Sequence, residues 1–302
     1  MRHTTGDGAA PGAPAWTLTE DLDAFLAHAG TFLRSRPAQH TVPLTVTDDL
    51  RRRGRHVYGD EPAVFGFLER AGAVRAVCFR TPPRGVYLTA LAPDEADALA
   101  ARLADRSERL PGVTGDPESA AALAAAWQRH TGATPALHGR RLLHRLGTLT
   151  APDPAPPGRA RVAQEPDREQ LARWYTEFSE AVGDGPAQDA DAWADARLAR
   201  GGATFWETPD GTPVAMAGVT PEIAGQVRVA PVYTPAGRRR RGYAGAVTAA
   251  VSRAALTAGA EEVLLFTDAA NATSNGVYRR IGYRPVAESV EYVFEGGRAV
   301  GR

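Results

Sequence analysis

The chain has 302 residues, 43% hydrophobic and 23% charged, which is ample for a sizeable core and long for one average domain. Its 35 basic and 35 acidic side chains cancel, with 18 arginines against 16 acids in residues 1–150 and 17 against 19 in the rest. Neither half therefore has the positive excess of a nucleic-acid binder. The single cysteine, Cys78, excludes an intrachain disulfide and suits a reducing compartment. No stretch approaches the roughly 18 apolar residues of a membrane span and the N-terminus has no apolar leader, so a cytoplasmic protein is expected.

Residues 1–15, MRHTTGDGAAPGAPA, read as a disordered tail. Residues 16–149 read as a first domain. Thr19 or Asp21 can cap a helix through Phe25, Leu26 and Phe32. PAVFGFLE and AVRAVCF read as strands joined by a hairpin turn at Arg70–Gly72. GVYLTAL ends at Ala92-Pro93, where a helix starts at Asp94-Glu95; GVTG, a helix from Glu118 to His130 and a closing strand, RLLHRLGTL, complete the domain. Residues 150–160, TAPDPAPPGRA, hold four prolines and read as a semi-rigid linker.

Residues 161–302 read as the second domain. ARVAQ is a strand, Asp167 starts a helix through Leu171, Trp174, Tyr175 and Phe178, and after a loop at 183–186 a second helix runs from about Asp189 to Arg200. TFWE and VAMAGVT are antiparallel strands joined at Pro209-Asp210-Gly211. VRVAPVYT reads as a buried strand. The next helix, from about Gly242 to Gly259, has an apolar stripe of Val247, Ala250, Val251, Ala254 and Leu256. VLLFT and a helix from about Thr273 to Ile281 complete a crossover unit. Its first loop lies at the carboxyl end of a parallel strand, where open sheets bind ligands. Strands and helices alternate in the same order in both domains, which points to a tandem of one fold.

Arg239-Arg240-Arg241-Gly242-Tyr243-Ala244 opens the helix of that unit. Unpaired N–H groups and the positive end of the helix dipole meet there, which makes an anion site. Gly242 removes the Cβ that would hold a phosphate off, and the guanidiniums add charge. The chain has no lysine, which excludes a Walker loop, and the dinucleotide glycine pattern is missing. The first domain's counterpart, LAPDEADA, has no glycine and puts three carboxylates near the helix start, which would repel a diphosphate.

These features resemble the GNAT superfamily of acyl-CoA-dependent N-acetyltransferases. Its loop, Gln/Arg-x-x-Gly-x-Gly/Ala, is matched by Arg239, Gly242 and Ala244. Its second signature is matched by Asn271, Ser274, Tyr278, Gly282 and Tyr283, while Arg240 departs by standing where many members have a second glycine. The resemblance covers about Arg161 to Phe294. It implies an α/β (α+β) fold of two GNAT-like domains, each a mixed, mostly antiparallel central sheet flanked by helices. The first would be a degenerate copy, without the CoA loop, that walls the acceptor site.

The resemblance further implies acetyl-CoA as co-substrate, without metal. Its diphosphate would lie on the amides of Arg240, Arg241, Gly242, Tyr243 and Ala244 beside Arg239. Its pantetheine would run along Val232, Tyr233 and Thr234, with Asn271 and Ser274 near the arm. Tyr278 is the expected general acid: Val277 and Ile281 should face the sheet, and Tyr278, about 100° further round, the cleft. An alkylamine with a pKa of about 10.4 needs a base, for which Glu180 and Glu222 are the candidates. In the family the segment holding Glu180, Asp184 and Asp189 lines the acceptor pocket. No histidine follows His144, so the second half is expected to work without histidine or cysteine, which suits direct transfer. The expected acceptor is a small-molecule primary amine; no nucleic acid or membrane partner is expected, and a homodimer is left open. A non-catalytic acyl-CoA-binding scaffold or another acyl-CoA reaction, such as decarboxylation, are the competing readings. CoA release that depends on an added amine separates them.

Overall fold

The computed structural model describes residues 15–106, 109–183 and 189–296. Asp184 and nearly all of the expected tail lie outside these residues. The chain divides into two compact units, neither of them continuous in sequence. One takes the chain up to Leu33, Gly59–Gly139 and everything from Val290; the other takes Arg34–Tyr58 and Arg140–Ser289. The boundaries expected from the sequence lie at residues 149 and 161, and this division falls elsewhere. Strand pairing between distant segments decides the division, and linker composition does not record it.

In chain order the first elements are β1 (Trp16–Thr19), α1 (Leu22–Arg34), α2 (Thr41–Arg53), β2 (Val64–Arg70), β3 (Ala73–Arg80) and β4 (Val86–Leu88). Then come α3 (Pro93–Ala104), β5 (Gly112–Gly115), α4 (Pro117–Thr131), β6 (Thr134–Leu146), β7 (Arg159–Val162), α5 (Arg168–Val182) and α6 (Ala190–Leu198). The rest are β8 (Ala203–Glu207), β9 (Pro213–Val219), β10 (Gln226–Tyr233), α7 (Tyr243–Thr257), β11 (Glu262–Asp268), α8 (Ala272–Arg280) and β12 (Tyr283–Glu295). The expected elements are present; β1, α2 and the long β12 were not foreseen. Among the described residues no helix is long and apolar enough to cross a membrane.

The first unit orders its strands β1-β2-β3-β4-β5, followed by the second half of β12. Only β4–β5 is parallel there. The Ala71–Gly72 turn has positive φ at both residues, as a two-residue hairpin requires. Asp21 caps α1, its Oδ1 accepting from the N–H groups of Asp23 and Ala24. At the start of α3, Glu95 is 1% exposed and accepts the Ala92 N–H at 2.8 Å. This helix start therefore carries its own carboxylate. Leu68, Leu88, Leu99, Leu123 and Trp127 fill the core, and Phe294 stacks on Trp127.

The second unit orders its strands β6-β11-β10-β9-β8-β7, with the first half of β12 outside β6. Only β10–β11 is parallel among the pairings from β6 to β7, so this sheet too is mixed and mostly antiparallel. Alternation along β11 separates the two faces. Val263 and Leu265 pack with Val227, Val229, Val247, Val251 and Ile281. Leu264 packs with Leu143 and Ala38. Helices α5 and α6 bring Trp174 and Trp193 onto Phe205, Met216 and Tyr233. Leu256, expected in the α7 stripe, is exposed in the last turn of that helix.

The proline-rich segment is fastened to this unit. Thr150 N–H donates to Ile281 O at 3.1 Å and Trp206 Nε1–H to Pro157 O at 3.2 Å. Pro156 is buried, with its ring about one van der Waals contact from where a Gly242 Cβ would stand.

Candidate active site

The site begins where a ladder ends. β10 and β11 pair only at Gln226–Glu262, Val227–Val263 and Arg228–Leu264, although β10 continues to Tyr233 and β11 to Asp268. On its other side β10 changes register with β9 between Val229 and Val232. Pro231 has no N–H to offer a partner. The carboxyl end of β10 thus presents an edge towards β11 without ladder bonds, in the middle of a sheet.

Above this edge, the loop from Thr234 turns into α7. Arg239 Nε–H donates to Thr234 O at 3.1 Å. Arg240 has φ 62° and Gly242, the residue before the first helical turn, φ 83°. Arg240 therefore holds a backbone conformation that suits the glycine many GNAT members have there. The N–H groups of Arg240 to Gly245 make no hydrogen bond among the described residues. They form the orphan donors of a helix start, and Arg238 to Arg241 are all exposed beside them. Tyr243 is buried behind the loop and Ala244 half-buried. A Cβ on Gly245 would touch Val277 at 3.4 Å, so α7 and α8 approach closely here.

Asn271 caps α8, its Oδ1 accepting the Ser274 N–H at 2.9 Å. Asn271 and Ser274 of the second signature therefore shape the helix start. Tyr278 is 9% exposed and packs with Tyr243, Val247, Ile281 and Tyr283. The expectation that it stands apart from Ile281 is corrected, because the short α8 lies with both residues in one core. Burial pushes its phenol up to about 12, with the Thr248 hydroxyl pulling the other way, so it is protonated at neutral pH.

The two candidate bases are far from equivalent. Glu180 is exposed in the last turn of α5. Glu222 accepts the Gly225 N–H at 2.9 Å in the turn before β10. That turn is at the amino end of a strand of eight residues, about 20 Å from the α7 loop at about 3.3 Å per residue. Glu222 fastens this turn, at the opposite end of β10 from the α7 loop.

Two groups were missed. Glu177 of α5 accepts the Tyr233 hydroxyl proton at 2.7 Å, at the unladdered end of β10. Burial, then this carboxylate, push the Tyr233 phenol up to about 12, against the Arg239 guanidinium. His144 of β6 pairs opposite Leu265 of β11 and is 2% exposed. Its Nε2 lies 2.9 Å from Thr267 Oγ1, which donates to Asn275 Oδ1 at 2.6 Å; Asn275 Nδ2 donates in turn to Asp268 O. The expectation that the motif-bearing part of the fold lacks histidine is thus corrected, since β6 carries one in. Burial lowers the His144 pKa. Cys78 is buried in the first unit, and burial pushes its thiol up to about 12, which leaves it inert. Among the described residues no cluster of three or more histidines, cysteines, aspartates or glutamates is placed to hold a metal.

Residues 224–293 match the family model described as FR47-like protein. No curated protein matches the sequence. Among solved structures, a GCN5-related N-acetyltransferase from Sphaerobacter thermophilus is 18% identical with TM-score 0.61, covering 94% of this chain and 96% of that one. A GNAT-family acetyltransferase from Colwellia psychrerythraea is 14% identical with TM-score 0.58, covering 93% and 100%. A tandem GNAT protein from the clavulanic acid biosynthesis pathway is 13% identical with TM-score 0.56, covering 96% and 99%. The fold is that of the GNAT acetyltransferases. The family-model match covers the segment that carries both signatures, from β10 into β12.

Proposed function

We propose that this protein transfers the acetyl group of acetyl-CoA directly to a primary amine of a small molecule. One observation carries the proposal: the free N–H groups of the first α7 turn stand directly above the unladdered end of β10. The residues fit the co-substrate. Amides of Arg240 to Ala244 would take the diphosphate charge, with Arg239, Arg240 and Arg241 around it. The backbone of Val232 to Thr234 would accept the pantetheine as an added strand. Pro231 donates nothing, so the donor to the thioester oxygen falls among Val232, Tyr233 and Thr234; such a donor is often worth about 10²–10³ in rate.

In the reaction the amine nitrogen attacks the thioester carbonyl carbon, the C–N bond forms and the C–S bond breaks. The ammonium proton leaves through a carboxylate or water, and Tyr278 gives its phenolic proton to the thiolate. The test is free-thiol release from acetyl-CoA across a panel of amines. Amine-dependent release that falls at least tenfold in Tyr278→Phe supports both the reaction and the acid. Equal rates remove Tyr278 from the mechanism. Acetyl-CoA binding without release for any amine would make this an acyl-CoA-binding protein.

A further inference from the structure

The structure assigns the acceptor's positive charge to Glu177: we propose that its carboxylate, fixed by the Tyr233 hydroxyl, anchors an aliphatic amine that is cationic at neutral pH. This rests on the acetyl-transfer reading. Glu177 is half-buried, and no ion pair or hydrogen bond within the described residues engages its second oxygen. A partly desolvated carboxylate of this kind favours a cation beside it; the Arg239 guanidinium acts on the Tyr233 hydroxyl, and its Nε–H is engaged by the Thr234 carbonyl. Its first oxygen is locked at 2.7 Å by a tyrosine that is itself 9% exposed, held edge-on by Trp174 at 6.0 Å. One residue further on, Thr234 Oγ1 is buried without a hydrogen-bond partner. The end of β10 therefore holds a fixed carboxylate with one open oxygen where its backbone has no ladder partner in β11. An ammonium brings donors that the open carboxylate oxygen would accept. The exposed Glu180, one turn further along α5, has no comparable constraint.

The experiment compares a straight-chain aliphatic diamine, cationic at pH 7, with an aryl amine that is neutral there. Wild type, Glu177→Gln, Glu177→Asp and Tyr233→Phe are each assayed for KM and kcat with saturating acetyl-CoA. The expected result for Glu177→Gln is a KM for the diamine at least tenfold higher, with the acetyl-CoA KM and the aryl-amine kinetics within twofold. Glu177→Asp should recover part of the loss, and Tyr233→Phe should show a smaller rise. Equal losses on both amines, a raised acetyl-CoA KM, or no change would overturn the assignment. If no amine is acetylated, the transfer reading fails separately. Calorimetric binding of the diamine to the CoA-saturated protein then decides: tenfold weaker binding in Glu177→Gln upholds the anchor, and equal binding removes it.

Discussion

Gly282 tests whether a signature glycine is set by backbone approach. Its φ of 109° lies in the region that side chains rarely adopt, and an added Cβ would stand 3.0 Å from the Thr148 carbonyl carbon and closer still to its oxygen. That carbonyl cannot simply step aside, because Gly147 N–H donates to Gly282 O at 3.0 Å and Thr150 N–H to Ile281 O at 3.1 Å. For Gly282→Ala the conformational strain is about 1–2 kcal/mol. Loosening the two hydrogen bonds adds about 0.5–1.5 kcal/mol each. We expect a loss of about 3 kcal/mol. Gly259→Ala is the control, since its φ is 104° but nothing lies within 4 Å of its added Cβ. It should lose only the strain. Urea unfolding of the two variants should therefore differ by about 2 kcal/mol, with Tm differing by about 2–4 °C for each kcal/mol at this domain size. Equal losses would mean that the close approach of the Thr148 carbonyl does not govern the position.

Other expectations follow from the same geometry. Arg240→Gly should leave unfolding stability unchanged or raise it by up to about 1 kcal/mol, because relief of the positive φ offsets the extra freedom of the unfolded chain; a clear loss in urea unfolding would refute this. Glu222→Ala should leave acetyl transfer within twofold and cost about 1 kcal/mol through its turn hydrogen bond, and a collapse of kcat would restore it as a base. His144 has a lowered pKa in the fold, so its stabilising contribution is full above about pH 6.5 and is lost as pH falls toward the folded value. Denaturation at pH 7.5 and 5.5 should show a smaller loss for His144→Gln than for wild type, and identical losses would contradict a buried neutral imidazole.

Local signals in the sequence carried far. The Gly242 turn, the Asn271 cap, the Asp21 cap and the Ala71–Gly72 hairpin each depend on residues within a few positions, so their chemistry could be read directly. What was missed depends on distant pairing. His144 sits 123 residues from Thr267 in the chain and meets it only because β6 joins β11. Glu177 and Tyr233 are 56 residues apart, and neither has a motif. Glu222 looked suitable as a base by residue type alone; only the direction of β10 reveals it to be at the wrong end. Tyr278 was placed by helical angle, but an angle around a short helix does not say how far the neighbouring core wraps round it.

Because β6 begins in one unit and ends in the other, and β12 does the reverse, neither half of this chain is self-sufficient. Cleavage within residues 150–160 would strip β11 of its neighbour and leave β5 without the returning β12. Each fragment would carry a raw strand edge, the kind of surface that aggregates alone. Mixed before either aggregates, the fragments hold complementary edges and should reassociate.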